Sequence, residues 1–122
     1  MEHSPAFLAL VNDAKSRIKQ LTVEQVVEKM KRGDKFIFVD TREDNEWTAG
    51  RAQGAIHLGR GVIERDIEKA IPDHQAEIIL YCGGGFRSAL AADNLRKMGY
   101  ANAISMDGGI RRWRELKLPE EK

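Results

Sequence analysis

Apolar residues along the chain switch between two spacings. Phe7, Leu10, Val11, Ala14 and Ile18 recur at helical intervals behind Ser4-Pro5, an N-cap residue followed by proline at the first helical position. They predict a helix from about Pro5 to about Arg17. A short strand is expected around Lys19-Gln20-Leu21. Thr22 with Gln25 three residues on is a capping-box signature, and Leu21 and Val26 sit at the staple positions beside it. Val23, Val26, Val27 and Met30 give the buried face of that second helix, which Gly33 ends. The spacing then changes. Phe36-Ile37-Phe38-Val39 is a continuous apolar run that suits a strand buried on both faces, closed by Asp40. Asp44 to Ala49 reads as a short helix stopped by Gly50, Ala55 to Leu58 as a short strand, and Gly61 to Ala70 as a helix ended near Pro72. Glu77 to Tyr81 is the strongest strand. Arg87 to Met98 is a helix stopped by Gly99, Ala103 to Met106 a last strand, and Ile110 to Leu116 a final helix before Pro119.

Strands alternating with helices predict an α/β fold: a parallel sheet with helices on both faces. In such sheets sites lie beyond the carboxyl ends of the strands, and Asp40 and Cys82 both fall at such ends. The chain has 122 residues, the size of one domain, enough to bury roughly two-thirds of its unfolded surface. Twenty Lys and Arg against nineteen Asp and Glu leave a formal charge of +1, without the basic excess of a nucleic-acid-binding protein. No apolar run approaches the roughly 18 residues of a membrane span, so no membrane partner is expected. The start Met1-Glu2-His3-Ser4-Pro5 lacks the basic opening of a secretory signal. Cys82 is the only cysteine, which rules out an internal disulfide and a Cys-x-x-Cys pair and fits a cytoplasmic location. His3, His57 and His74 lack ligand spacing, so no metal is expected.

The chemistry lies in Tyr81-Cys82-Gly83-Gly84-Gly85-Phe86-Arg87-Ser88: strand, glycine loop, helix start. A lone strand-end cysteine is commonly a small core residue. Three consecutive glycines are costly unless the backbone must bend where side chains would interfere. Such a bend lets successive amides converge into an anion nest, and the helix N-terminus beside it adds positive potential. That field favours the nucleophilic thiolate at Cys82. No Gly-Lys-Ser/Thr follows, so the loop is not a P-loop.

These motifs, in order, resemble a single-domain rhodanese of the rhodanese-like sulfurtransferase family. Val39-Asp40-Thr41-Arg42-Glu43 with Glu46-Trp47 resembles the family's Asp-x-Arg segment. Gly50-Arg51-Ala52-Gln53-Gly54-Ala55-Ile56-His57 resembles its Gly-His-Ile-x-Gly-Ala segment. Cys82 to Ser88 fits its Cys-x-x-Gly-x-Arg-Ser loop, and Gly99-Tyr100 and Asp107-Gly108-Gly109-Ile110 with Trp113 its closing segments. The resemblance implies a mostly parallel five-stranded sheet and a cysteine that cycles through a persulfide, with no cofactor. It divides the chain into an N-terminal helical extension (1–20), a rhodanese-like domain (21–118) and a C-terminal tail (119–122). The implied partners are a small sulfur-containing anion or persulfide as donor, and cyanide, a thiol or a protein as sulfur acceptor. A relay module serving only a partner protein is the alternative. A cysteine phosphatase or arsenate reductase is disfavoured by loop length: those loops resemble Cys-x5-Arg, whereas Cys82 to Arg87 is Cys-x4-Arg, a smaller ring that suits one sulfur.

Around Cys82, the amides of Gly83, Gly84, Gly85, Phe86, Arg87 and Ser88 are the expected binding groups. Arg87 is expected to brace the loop by pairing with a carboxylate such as Asp40. Asp40 and Arg42 read as scaffold charges. Arg51 and Arg60 are expected to flank the mouth, as candidates to attract an anion against the commoner outcome of solvated surface arginines. His57 reads as a satisfied strand-end residue, Trp47 and Trp113 as core. The loop carries no basic residue beside Cys82, which points towards a persulfide donor over thiosulfate.

Overall fold

The computed structural model describes residues 3–122; Met1 and Glu2, the start of the expected extension, lie outside the described residues. The elements run α1 (Pro5–Lys15), β1 (Lys19–Thr22), α2 (Val23–Lys31), β2 (Ile37–Asp40), α3 (Asp44–Ala49), β3 (Arg51–Ala52), β4 (Ile56–His57), α4 (Ile63–Ala70), β5 (Ile78–Tyr81), α5 (Phe86–Lys97), β6 (Ala103–Asp107), α6 (Gly109–Glu115) and β7 (Glu120–Glu121). Five strands form one sheet in the order β1-β6-β5-β2-β4, and every neighbouring pair is parallel.

Period-two alternation assigns the strand side chains to two cores. Val39, Ile78, Leu80 and Ala103 face α4 and α5, meeting Ile63, Ile67, Ala91, Ala92 and Leu95. Phe38, Ile79, Tyr81, Ile104 and Met106 face α2 and α6, meeting Val23, Val26, Ile110 and Trp113. The sheet is thus covered on both faces, as continuous apolar strands require. The capping box of α2 closes as its sequence predicts: Gln25 N donates to Thr22 Oγ1 at 3.1 Å and Thr22 N to Gln25 Oε1 at 2.8 Å.

The first helix and the last strand are both tied to this frame. Helix α1 is capped by Ser4, whose Oγ accepts from Phe7 N at 3.2 Å, and ends two residues short of Arg17. It packs on α5 through buried Val11 and Ala14. Arg17 seals that contact by gripping Asp93 of α5, Nη2 to Oδ2 at 2.8 Å and Nε to Oδ1 at 3.1 Å. The bond to Arg17 holds the Asp93 carboxyl down at about 2. Strand β1 straddles the 20/21 division and forms the sheet edge beside β6. Residues 119–122, expected as a tail, contain β7, which pairs antiparallel with β3, Arg51 opposite Glu121 and Ala52 opposite Glu120.

Candidate active site

Strand β5 carries Cys82 to the carboxyl edge of the sheet. The strand end is held by Asp40 at the end of β2 and by Thr41 just after it. Thr41 donates to the Tyr81 carbonyl from both its amide (2.8 Å) and its hydroxyl (2.9 Å). The Tyr81 hydroxyl donates to Asp40 Oδ2 at 2.7 Å and accepts from Ala52 N at 3.0 Å. Asp40 is fully buried and grips equally buried Arg42, whose Nη2 lies 2.8 Å from Oδ2 and 2.7 Å from the Gly50 carbonyl. Burial, and then the Asp40 charge, push the Tyr81 phenol far above its usual range. Asp40 and Arg42 form a bracket under the site, away from its mouth.

Beyond Tyr81 the loop separates its polar groups. Cys82 is 1% exposed. Its Sγ accepts from Gly85 N at 3.2 Å and Ser88 N at 3.4 Å, and lies 3.6 Å from Ser88 Oγ, itself 2.8 Å from Ser105 Oγ. Ser88 N belongs to the first turn of α5, where amides have no intrahelical partner and are free to point at a ligand. The loop carbonyls turn the other way, onto the first turn of α6: Ile110 N donates to the Cys82 carbonyl at 2.9 Å and Arg111 N to the Gly83 carbonyl at 3.1 Å. One helix start serves the sulfur and the other serves the carbonyls opposite it. Gly85, at φ +107°, makes the bend. Gly109 allows the contact between loop and α6. A Cβ on it would stand 2.4 Å from the Cys82 carbonyl oxygen and 2.6 Å from that of Gly83.

The charged residues are distributed differently from the expectation. Arg87 pairs with Glu46 of α3, Nη1 to Oε1 at 2.7 Å and Nη2 to Oε2 at 3.3 Å, while Asp40 is taken by Arg42. The pair shifts both partners: Arg87 holds the Glu46 carboxyl low, and Glu46, with the Cys82 charge adding, holds Arg87 high. Arg51 and Arg60 do not flank the mouth. The Arg51 guanidinium lies 4.3 Å from the Trp47 ring, and Arg60 Nη1 pairs with Glu64 at 2.7 Å. Trp47 is half-buried, stacked on His57 at 4.9 Å, and His57 Nε2 sits 2.8 Å from the Arg42 carbonyl. Trp113 is core, as expected.

A cleft of about 640 Å³ opens over Cys82, and Gly83, Gly84, Phe86 and Arg87, four of the residues expected to bind, line it. It is also lined by His3, Ser4 and Phe7 from the N-terminal segment, by Glu46 of α3 and by Arg111 of α6, five residues that sequence reasoning missed. Arg111 lies against Gly84, its Nη1 3.4 Å from where a Cβ would stand. Nothing local distinguishes it from Arg112, which pairs with Glu24 at 2.6 Å. The Gly108-Gly109 pair was a readable signal of close backbone approach. Among the described residues, no group of His, Cys, Asp and Glu is arranged to hold a metal ion, and no helix is long and apolar enough to cross a membrane.

A buried sulfur facing two backbone amides, in a loop whose carbonyls are turned away, is a site that stabilises negative charge on or next to that sulfur. The family described as the rhodanese-like domain matches residues 22–116. The chain belongs to this family, and its relatives include proteins named as sulfurtransferases and a sulfur carrier. It is 34% identical over 101 residues to the thiosulfate sulfurtransferase GlpE of Haemophilus influenzae, covering 83% of this chain and 92% of GlpE. It is 26% identical over 98 residues to YrkF of Bacillus subtilis, a protein named as a candidate sulfur carrier. That match covers 80% of this chain but only 52% of YrkF, so the chain spans about half of that relative. Among solved structures, a Rhodopseudomonas palustris protein of unknown function, described as a possible tyrosine phosphatase, superposes with a TM-score of 0.87 at 28% identity, covering 99% of each chain.

Proposed function

We propose that this protein is a sulfurtransferase that takes a sulfane sulfur from thiosulfate or a persulfide donor as a Cys82 persulfide and passes it to cyanide or a thiol. The observation that carries the reading is the pair of amides, Gly85 N and Ser88 N, directed at a buried Cys82 Sγ. With thiosulfate, the thiolate attacks the outer sulfur. The new S–S bond forms at Cys82, the old one breaks, and sulfite leaves with its electron pair. The outer persulfide sulfur then carries the negative charge within reach of the loop amides, of which those of Gly85 and Ser88 already point at Cys82 Sγ. Cyanide or a thiol removes that sulfur and returns the electron pair to Cys82. Exchange between sulfurs requires no metal or cofactor. The lone thiol has to be kept reduced, which fits action in the cytoplasm.

The loop length opposes a phosphatase. Four residues between Cys82 and Arg87 enclose a ring sized for one sulfur, and Arg87 is already engaged by Glu46. A relay role is the second reading, favoured by the half-exposed glycine rim at Gly83 and Gly84, which leaves room for a bulky partner. Steady-state kinetics with thiosulfate and cyanide test the proposal. Parallel double-reciprocal lines, the ping-pong pattern, are expected for the wild type, with no turnover in Cys82→Ser. Persulfide formation without discharge to any small acceptor would favour the relay. Turnover that survives Cys82→Ser would refute both.

A further inference from the structure

The cleft above Cys82 has more room, and more kinds of surface, than a small sulfur oxyanion uses. Its volume of about 640 Å³ falls in the range of roughly 300–1,000 Å³ typical of sites for organic ligands. One wall is aromatic. The His3 ring lies 5.1 Å from Phe7 and 4.6 Å from Phe86, and Phe7 and Phe86 are 6.2 Å apart. His3 and Phe7 precede residue 22, where the family match begins, so two of the three rings of this wall lie outside the matched residues. The other wall is cationic. Arg87 is answered by Glu46, but none of the ion pairs among the described residues involves Arg111, although Arg112 and Arg114 beside it are both paired. Behind Phe86, Lys15 Nζ lies 5.1 Å from the ring centre and 3.8 Å from Asp107 Oδ1, so its charge is answered.

We propose that this cleft is a subsite for an organic thiol acceptor bearing an aromatic body and a carboxylate. The rings of His3, Phe7 and Phe86 cover the body, Arg111 takes the carboxylate, and the sulfur reaches the outer sulfur of the Cys82 persulfide. The inference rests on the sulfur-transfer reading and adds to it the class of acceptor. The acceptor sulfur attacks the outer persulfide sulfur, one S–S bond forms and one breaks, and the bonding pair returns to Cys82 Sγ. The acceptor's proton passes to the transferred sulfur, so a thiol plus an anionic persulfide gives an organic persulfide plus the Cys82 thiolate.

The test follows discharge of the Cys82 persulfide, loaded with thiosulfate or inorganic polysulfide and verified by intact mass. Three acceptors are compared: para-mercaptobenzoate, thiophenol and cyanide. Arg111→Gln is expected to lower the rate ratio of mercaptobenzoate to thiophenol about fivefold, the scale of an exposed charge pair. Phe7→Ala is expected to lower the ratio of thiophenol to cyanide about fivefold or more, the scale of lost apolar contact. Arg111 is exposed, so its variant keeps the fold independently of Phe7. Ratios that stay within about twofold of wild type in both variants, with the persulfide formed and discharged, would overturn this inference alone. A persulfide that never forms with either donor would overturn the sulfur-transfer reading and this inference with it.

Discussion

Substituting Gly109 by Ala tests the mutual packing of the loop and α6. Gly109 has φ +55°, in the left-handed region, where a Cβ costs roughly 1–2 kcal/mol. That part is shared with Gly33, at φ +78°, whose missing Cβ would meet nothing within 4 Å. At Gly109 the Cβ would also stand 2.4 Å and 2.6 Å from the carbonyl oxygens of Cys82 and Gly83. These are backbone atoms and cannot swing aside. Relief requires loop and helix to part, loosening the two hydrogen bonds from Ile110 N and Arg111 N, each worth about 0.5–1.5 kcal/mol. Gly109→Ala is therefore expected to lose about 2–5 kcal/mol and Gly33→Ala only about 1–2 kcal/mol. Urea unfolding reads the difference as a shift in midpoint at constant slope. Alkylation by iodoacetamide is the second readout, and the 1% exposed sulfur should react faster in Gly109→Ala than in Gly33→Ala. Equal stability losses and equal alkylation rates in the two variants would refute the packing argument.

Removing Asp40 as Asn leaves the buried Arg42 guanidinium without its counter-charge and should cost about 3–5 kcal/mol in urea unfolding; a loss below about 1 kcal/mol would contradict the bracket described above. Asp93 has a depressed folded-state value of about 2, so its contribution to stability is complete above the unfolded value near 4 and is lost as pH falls from there towards 2. Asp93→Asn should flatten that acid limb and loosen α1, read by stability against pH and by proteolysis before residue 20. With an aryl phosphate as substrate, hydrolysis above the Cys82→Ser background is not expected; measurable turnover would reopen the phosphatase reading.

What is legible in the sequence is local. The Thr22–Gln25 cap, helix α3 from Asp44 to Ala49, the apolar strands and the placement of Cys82 between a strand and a helix start all depend on residues within a few positions of one another. The features not legible come from distant partners. Glu46 reaches Arg87 across 41 positions, and no spacing rule ranks it above Asp40. The β3–β7 pair is two residues long on each side, too short for any period to register. Arg51 and Arg60 follow the motif into the right region of the sequence, but Trp47 and Glu64 hold them elsewhere. His3 and Phe7 enter the site because α1 packs on α5, a docking set by Val11, Ala14 and the Arg17–Asp93 pair. That tertiary choice, and with it the aromatic wall, cannot be read from the amphipathic pattern of α1 by itself.

The most direct test of the central claim is intact mass of the reduced protein after brief incubation with thiosulfate, beside a Cys82→Ser control. The wild type is expected to gain one sulfur atom, to lose it on addition of cyanide, and to differ in both respects from the control. If neither thiosulfate nor glutathione persulfide changed the wild-type mass, the claim that the loop exists to carry sulfur on Cys82 would be contradicted.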